Sequence, residues 1–188
     1  MDEEIVGLDF DMEVRDITLV CNDGAFVKCP SNLLEHIPTL NAIQENDTEV
    51  SLIRLSHVSG RCMEDILVWV RQHLTDKPRE LPMPLPHYNM VKHVGQWDAD
   101  YLKSFGLWYL YTELIQSANY LGLTFLTEYA LAELSIRMKD RTAEETWDLL
   151  DADGDLTRLG LKKEMYMQED VQKQALKEWV EFLEQTDT

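Results

Sequence analysis

The stretch Leu110 to Arg141, LYTELIQSANYLGLTFLTEYALAELSIRMKDR, decides how the rest of the chain is read. It predicts two helices joined near Gly122, and the second carries more apolar surface than one core can use. At 100° per residue, Leu126, Ala130, Leu134 and Met138, with Leu131 beside them, form one broad stripe. Tyr129, Ala132 and Ile136 form a second stripe on the opposite side. Glu133 and Arg137 border the stripes on one flank, Glu128 and Ser135 on the other. Two stripes require two surfaces to cover them. One is the domain's own core; the other is either more of this chain or a different protein.

The remaining composition narrows the class. At 188 residues, with five Trp and 45% hydrophobic residues, the chain suits one folded domain, or one domain with a helical extension. A net charge of −18 repels phosphate, which argues against nucleic acid and against anionic membrane surfaces as partners. No apolar run reaches the length of a membrane span, and the acidic start MDEEIVGLDFDME is unlike a signal or transit peptide. Cys21, Cys29 and Cys62 are odd in number and show no zinc-like spacing. They read as reduced thiols of a cytoplasmic or nuclear protein.

Outward from the central stretch, residues 1–15 form an acidic lead-in. Asp16 to Val20 alternates polar and apolar residues, Asn22-Asp23-Gly24 supplies a turn, and Ala25 to Cys29 is the return strand of a hairpin. Ser31 is expected to cap a short helix with Leu33, Leu34 and Ile37 as its apolar positions, ended or kinked by Pro38. Val50 to Leu55 reads as a third strand. From Ser59 a helix follows, with Met63, Ile66, Leu67, Val70 and Leu74 on one core face. Thr75 to Gln96 holds Pro78, Pro82, Pro84 and Pro86, so it reads as an extended linker. Asp98 is expected to cap a short helix over Asp100 to Ser104. Thr142-Ala143-Glu144-Glu145 is a capping box that starts a helix through Trp147 and Leu150. After a break at Asp151 to Asp155, a last helix spans about Met165 to Gln185, with Val171, Ala175, Leu176, Trp179, Phe182 and Leu183 on one face. Strands first and helices after is an α+β pattern.

The hairpin ITLVCNDGAFV, Trp97-Asp98 before a short helix, LYTELIQSANYLGL and RTAEE, in this order, resemble the S-phase-kinase-associated protein one (Skp) family. The resemblance covers about residues 16–157. It implies a BTB/POZ-like core over residues 16–141, then a C-terminal F-box-binding helical extension over 142–188. It also implies a non-catalytic adaptor of an SCF-type cullin ubiquitin ligase, with F-box proteins and a cullin N-terminal domain as partners. Matched by position, the F-box-binding residues are Leu131, Leu134 and Met138, then Glu145, Thr146, Trp147 and Leu150, with Trp179 in the last helix. Asn119 and Tyr120 match the pair on the cullin side. The chain departs from the family pattern at Ala143, where Pro is usual, at Thr146, where an aliphatic residue is usual, and in an insertion over Arg158 to Met167. Its Pro-rich linker lacks the family's acidic run. A rival reading uses the same surfaces for a homodimer or higher self-assembling scaffold, with cullin binding weakened or lost.

Cofactor and enzyme signatures are missing from the sequence. DADGDLT fails as a calcium loop: starting at Asp151 puts Leu156 where Gly is required and Lys162 where a bidentate Glu belongs. The five His residues form no H-x-x-x-H, and there is no nucleophile elbow or phosphate loop. No cofactor, no metal and no catalysis are expected.

Overall fold

Two strands, β1 (Asp16–Val20) and β2 (Phe26–Pro30), pair antiparallel with Asp16 opposite Pro30 and Val20 opposite Phe26. Period-two alternation puts Ile17, Leu19, Val27 and Cys29 on the buried face. Gly24, at φ +80°, takes the left-handed position of the turn. The structure, a computed structural model, describes residues 16–82, 84–152 and 154–163. The lead-in 1–15, the last helix with Trp179 and the end of the 158–167 insertion lie outside the described residues.

The next elements correct two sequence readings. Helix α1 (Ser31–Leu34) begins at Ser31, with Pro30 at the cap and no side-chain cap bond, so Ser31 is not the N-cap. Pro38 opens a second helix, α2 (Pro38–Asn46), at the first position, where the missing N–H costs nothing. Leu33, Leu34, Ile37 and Leu40 are all buried. Strand β3 (Leu52–Arg54) then joins β1 in parallel, which gives the order β2-β1-β3. Helix α3 (Gly60–His73) is capped by the Ser59 side chain, which accepts from the Cys62 amide. Met63, Ile66, Leu67 and Val70 are buried, whereas Leu74 is exposed because the helix has already ended at His73.

The Asp23 carboxylate accepts from the amides of Ala25 and Gly60, both at 3.0 Å, and so ties the hairpin turn to the start of α3. These two donors hold its carboxyl below the usual aspartate range. A Cβ on Gly60 would stand 2.5 Å from that of Ala25, so only glycine fits there. Burial pushes the Cys21 thiol up to about 11 and Cys29 up to about 12, which keeps both protonated at neutral pH.

After α3 come α4 (Val91–Val94) and α5 (Gln96–Lys103). Asp98 does not cap a helix starting at Asp100. Gly95, at φ +101°, occupies the cap position, and Asp98 is buried in the first turn, beside the helix's N-terminal amides. A helical run follows as α6 (Leu107–Tyr109), a π-helical turn (Leu110–Leu114) and α7 (Ile115–Tyr120). It closes with paired bonds: Leu123 N–H to Ala118 O at 2.9 Å and Gly122 N–H to Asn119 O at 3.0 Å. With Gly122 at φ +78°, this is a Schellman ending.

Helix α8 (Thr124–Met138) leads to α9 (Ala143–Leu150) and α10 (Asp155–Arg158). The capping box is present, with the Thr142 hydroxyl accepting from the Glu145 amide and the Glu145 carboxylate accepting from the Thr142 amide. The Asp151 carboxylate accepts from the Thr157 amide and hydroxyl, at 3.0 and 2.6 Å, so the DADGD break is a turn into α10. The chain forms two compact units. The first holds the sheet, α1 to α3 and Ser117–Leu123; the second holds Pro78–Gln116 and the described residues from Thr124 onward.

Candidate partner-binding site

Helix α8 does not bury two stripes separated by polar borders. It buries Ala132, Tyr129, Glu133, Leu126 and Ala130, one continuous arc on the helical wheel with Glu133 near its centre. The Glu133 and Arg137 border finds its partners within the second unit. Arg137 donates from Nε to Glu133 Oε1 at 2.7 Å, and from its two Nη atoms to the carbonyls of Phe105 and Leu102, both at 2.8 Å. Those carbonyls lie at the end of α5, where a cation is favoured. A paired carboxylate with satisfied neighbours can be buried where a lone one cannot.

Because the buried arc takes one margin of each stripe, the outer margin remains outside. Leu131 lies opposite Glu133 on the wheel and is 45% exposed; Met138 is 36% exposed and Leu134 half-buried. Among the described residues, α9 adds Trp147, Leu149 and Leu150, all half-buried, and has no fully buried residue; Glu145 is exposed and Thr146 half-buried. Helix α9 rests on α6. Lys163 Nζ holds the following segment to α9 through Asp148 at 2.7 Å and Glu144 at 3.1 Å.

The Pro-rich segment, which the sequence presents as a linker, is a strap fixed to α8. The Tyr129 hydroxyl accepts from the Arg79 amide and donates to the Arg79 carbonyl, both at 2.6 Å. The Lys139 ammonium sits 3.4 Å from the centre of the Tyr88 ring. The buried His93 ring bonds through Nε2 to the His87 carbonyl at 2.8 Å. Between the first two attachments lies a cavity of about 460 Å³. The strap lines it with Leu81, Pro84, Leu85 and Tyr88; α8 lines it with Glu128, Leu131, Ala132 and Ser135. These strap residues were missed as site residues. The available signals were the leucines alternating with prolines and a core tyrosine whose hydroxyl needs a partner.

Asn119 and Tyr120 occupy the last turn of α7, in the first unit. Asn119 is exposed, and its carbonyl closes the turn at Gly122. Tyr120 is 37% exposed and stands edge-on to the His57 ring at 5.1 Å. The Thr39 hydroxyl and amide donate to the carbonyls of Tyr120 and Leu121, at 2.9 and 3.2 Å. Carbonyls that a helix end leaves unsatisfied are thereby used to fix this corner. Leu131, Leu134, Met138 and α9 share the second unit, and the Asn119-Tyr120 pair does not belong to it.

No protein-family model matches the chain. SKP1-like protein 14 of Arabidopsis thaliana is 21% identical over 146 residues, 78% of this chain and 89% of the relative. The S-phase kinase-associated protein 1 homolog of Tetrahymena thermophila is 29% identical over 117 residues, 62% of this chain and 69% of the relative. SKP1-like protein 15 of Arabidopsis thaliana is 23% identical over 151 residues, 78% and 85% of the two chains. Together they support a divergent member of the Skp family. The three-stranded sheet followed by helices is consistent with the family's BTB-type fold. At the level of the Skp family, these relatives support an SCF adaptor role.

Proposed function

We propose that this protein joins F-box proteins to a cullin within an SCF ubiquitin ligase. The outward side of α8, with α9 and Trp179, takes the F-box; Asn119 and Tyr120 face the cullin N-terminal domain. The observation that supports this is the exposure of Leu131 and Met138 on a helix whose core-facing side is already complete. Monomers seldom leave such apolar residues grouped without a use. Covering Leu131, Leu134 and Met138 is worth about 1.5–3 kcal/mol each. The adaptor acts by position: it raises the effective concentration of a bound substrate near the transfer machinery. Its setting is the cytoplasm and nucleus, where buried thiols stay reduced.

Co-expression with an F-box domain and a cullin N-terminal fragment tests the reading. Leu134→Glu is expected to abolish F-box capture while the circular dichroism spectrum is unchanged. Tyr120→Ala is expected to lose the cullin and keep the F-box. F-box binding that survives Leu134→Glu, or a wild-type chain that recovers neither partner, overturns the assignment. Light scattering addresses the rival scaffold: a mass that rises with concentration in the absence of an F-box would favour self-assembly.

A further inference from the structure

We infer that the Pro-rich strap and α8 form a specificity pocket that takes one bulky aliphatic or aromatic side chain of the F-box partner, next to a lysine or arginine of that partner. The inference rests on the function proposed above and deepens it. The strap is attached at Tyr129 in α8 and again at Lys139, which directly follows the end of α8, ten positions further along the chain. The cavity lies between these attachments, so its walls are held on both sides. Its volume of about 460 Å³ falls in the range of roughly 300–1,000 Å³ usual for ligand clefts.

Leu81, Pro84 and Leu85 from the strap face Leu131 and Ala132 from the helix, an apolar lining that accepts an apolar group. Proline fixes φ, so the strap loses little further freedom when the pocket fills. Leu131 belongs both to this lining and to the exposed side of α8, so a chain lying along that side can insert a side chain without leaving it.

Charge selects the occupant. Glu128 lines the pocket and is exposed, while the Lys139 ammonium at the far wall is engaged by the Tyr88 ring and by Asp140 at 3.5 Å; in a chain of net charge −18 the Glu128 end favours a neighbouring cation. Residues 164–188 of this chain carry seven acidic and two basic side chains, a poor match. A second copy is disfavoured by the same −18. A basic-apolar segment of the F-box partner fits both requirements.

The test presents one F-box domain in a series of forms. Each exposed position in turn carries Ala, Leu or Phe, and its neighbours carry Lys or Glu; every form is titrated against the full chain. At one position Leu or Phe is expected to bind roughly tenfold tighter than Ala. Ser135→Trp fills the pocket from an exposed helix position and is expected to erase that preference, so that the Ala, Leu and Phe forms bind alike. Glu128→Lys is expected to reverse the preference for Lys over Glu. Forms that bind tightly and keep their preference in Ser135→Trp overturn the pocket and leave the adaptor reading standing. A wild-type chain that binds none of the forms overturns both. Self-association relieved by Ser135→Trp would make a second copy the occupant, which also overturns the inference.

Discussion

Replacing Arg137 by methionine tests the arrangement inside the second unit most directly. The Glu133 side chain is 4% exposed and meets the Arg137 guanidinium at 2.7 Å. Methionine keeps most of the aliphatic stem but leaves a buried carboxylate without its counter-ion, a loss of about 3–5 kcal/mol. The Phe105 carbonyl also loses a charge-assisted donor, which adds about 1 kcal/mol. Domains are stable by about 5–15 kcal/mol, so this is a large fraction of the total. Glu133→Gln, which keeps an acceptor for Nε, is expected to cost only about 1–2 kcal/mol. The double variant Glu133→Leu with Arg137→Met removes both charges and is expected to recover about 2 kcal/mol relative to Arg137→Met alone. Urea unfolding, followed by tryptophan fluorescence and far-ultraviolet circular dichroism, measures all three. An Arg137→Met cost under about 1 kcal/mol, or strict additivity in the double variant, would refute a buried pair at the centre of α8.

Two further outcomes concern the first unit. Gly122→Ala forces a left-handed backbone on alanine, about 1–2 kcal/mol, and brings its Cβ to 3.2 Å from Pro38. Gly24→Ala has a similar φ and nothing within 4 Å, so thermal unfolding should place it between wild type and Gly122→Ala. The lowered pKa of Asp23 means that its contribution is full above the ordinary aspartate value of about 3.9 and is lost as pH falls through the folded value. The stability gap between wild type and Asp23→Asn, measured by denaturant titration across pH, should therefore be widest near neutrality and close in acid.

Local chemistry made much of the secondary structure legible. Asp-Gly marked the hairpin, Ser59 the start of α3, Gly122 the end of α7, and the Thr142 to Glu145 spacing a capping box that forms as read. What failed depended on partners distant in sequence. A wheel of α8 alone put Glu133 on a polar border between two stripes rather than inside one buried arc, because the carbonyls that stabilise Arg137 lie more than thirty residues away. Pro38 looked like a stop because proline breaks helix interiors, yet at the first position it starts one. The strap looked like a linker because prolines prevent regular structure. Its order comes instead from a tyrosine hydroxyl 50 residues on and a lysine above Tyr88. Composition can identify a segment that will not be helix or strand, but it does not say what the segment leans on.

The return of Ser117–Leu123 to the first unit bears on how the chain can be made and cut. That unit is interrupted by the 39 residues of Pro78–Gln116. A nascent chain that has emerged only to Lys77 has Thr39 with no helix end to receive its two donors and Pro38 with no glycine beside it. Its first body can mature only once the segment to Leu123 has been synthesised and the intervening loop closed. No single scission yields both units whole, so a fragment ending at Lys77 should behave as an incomplete fold rather than a small domain.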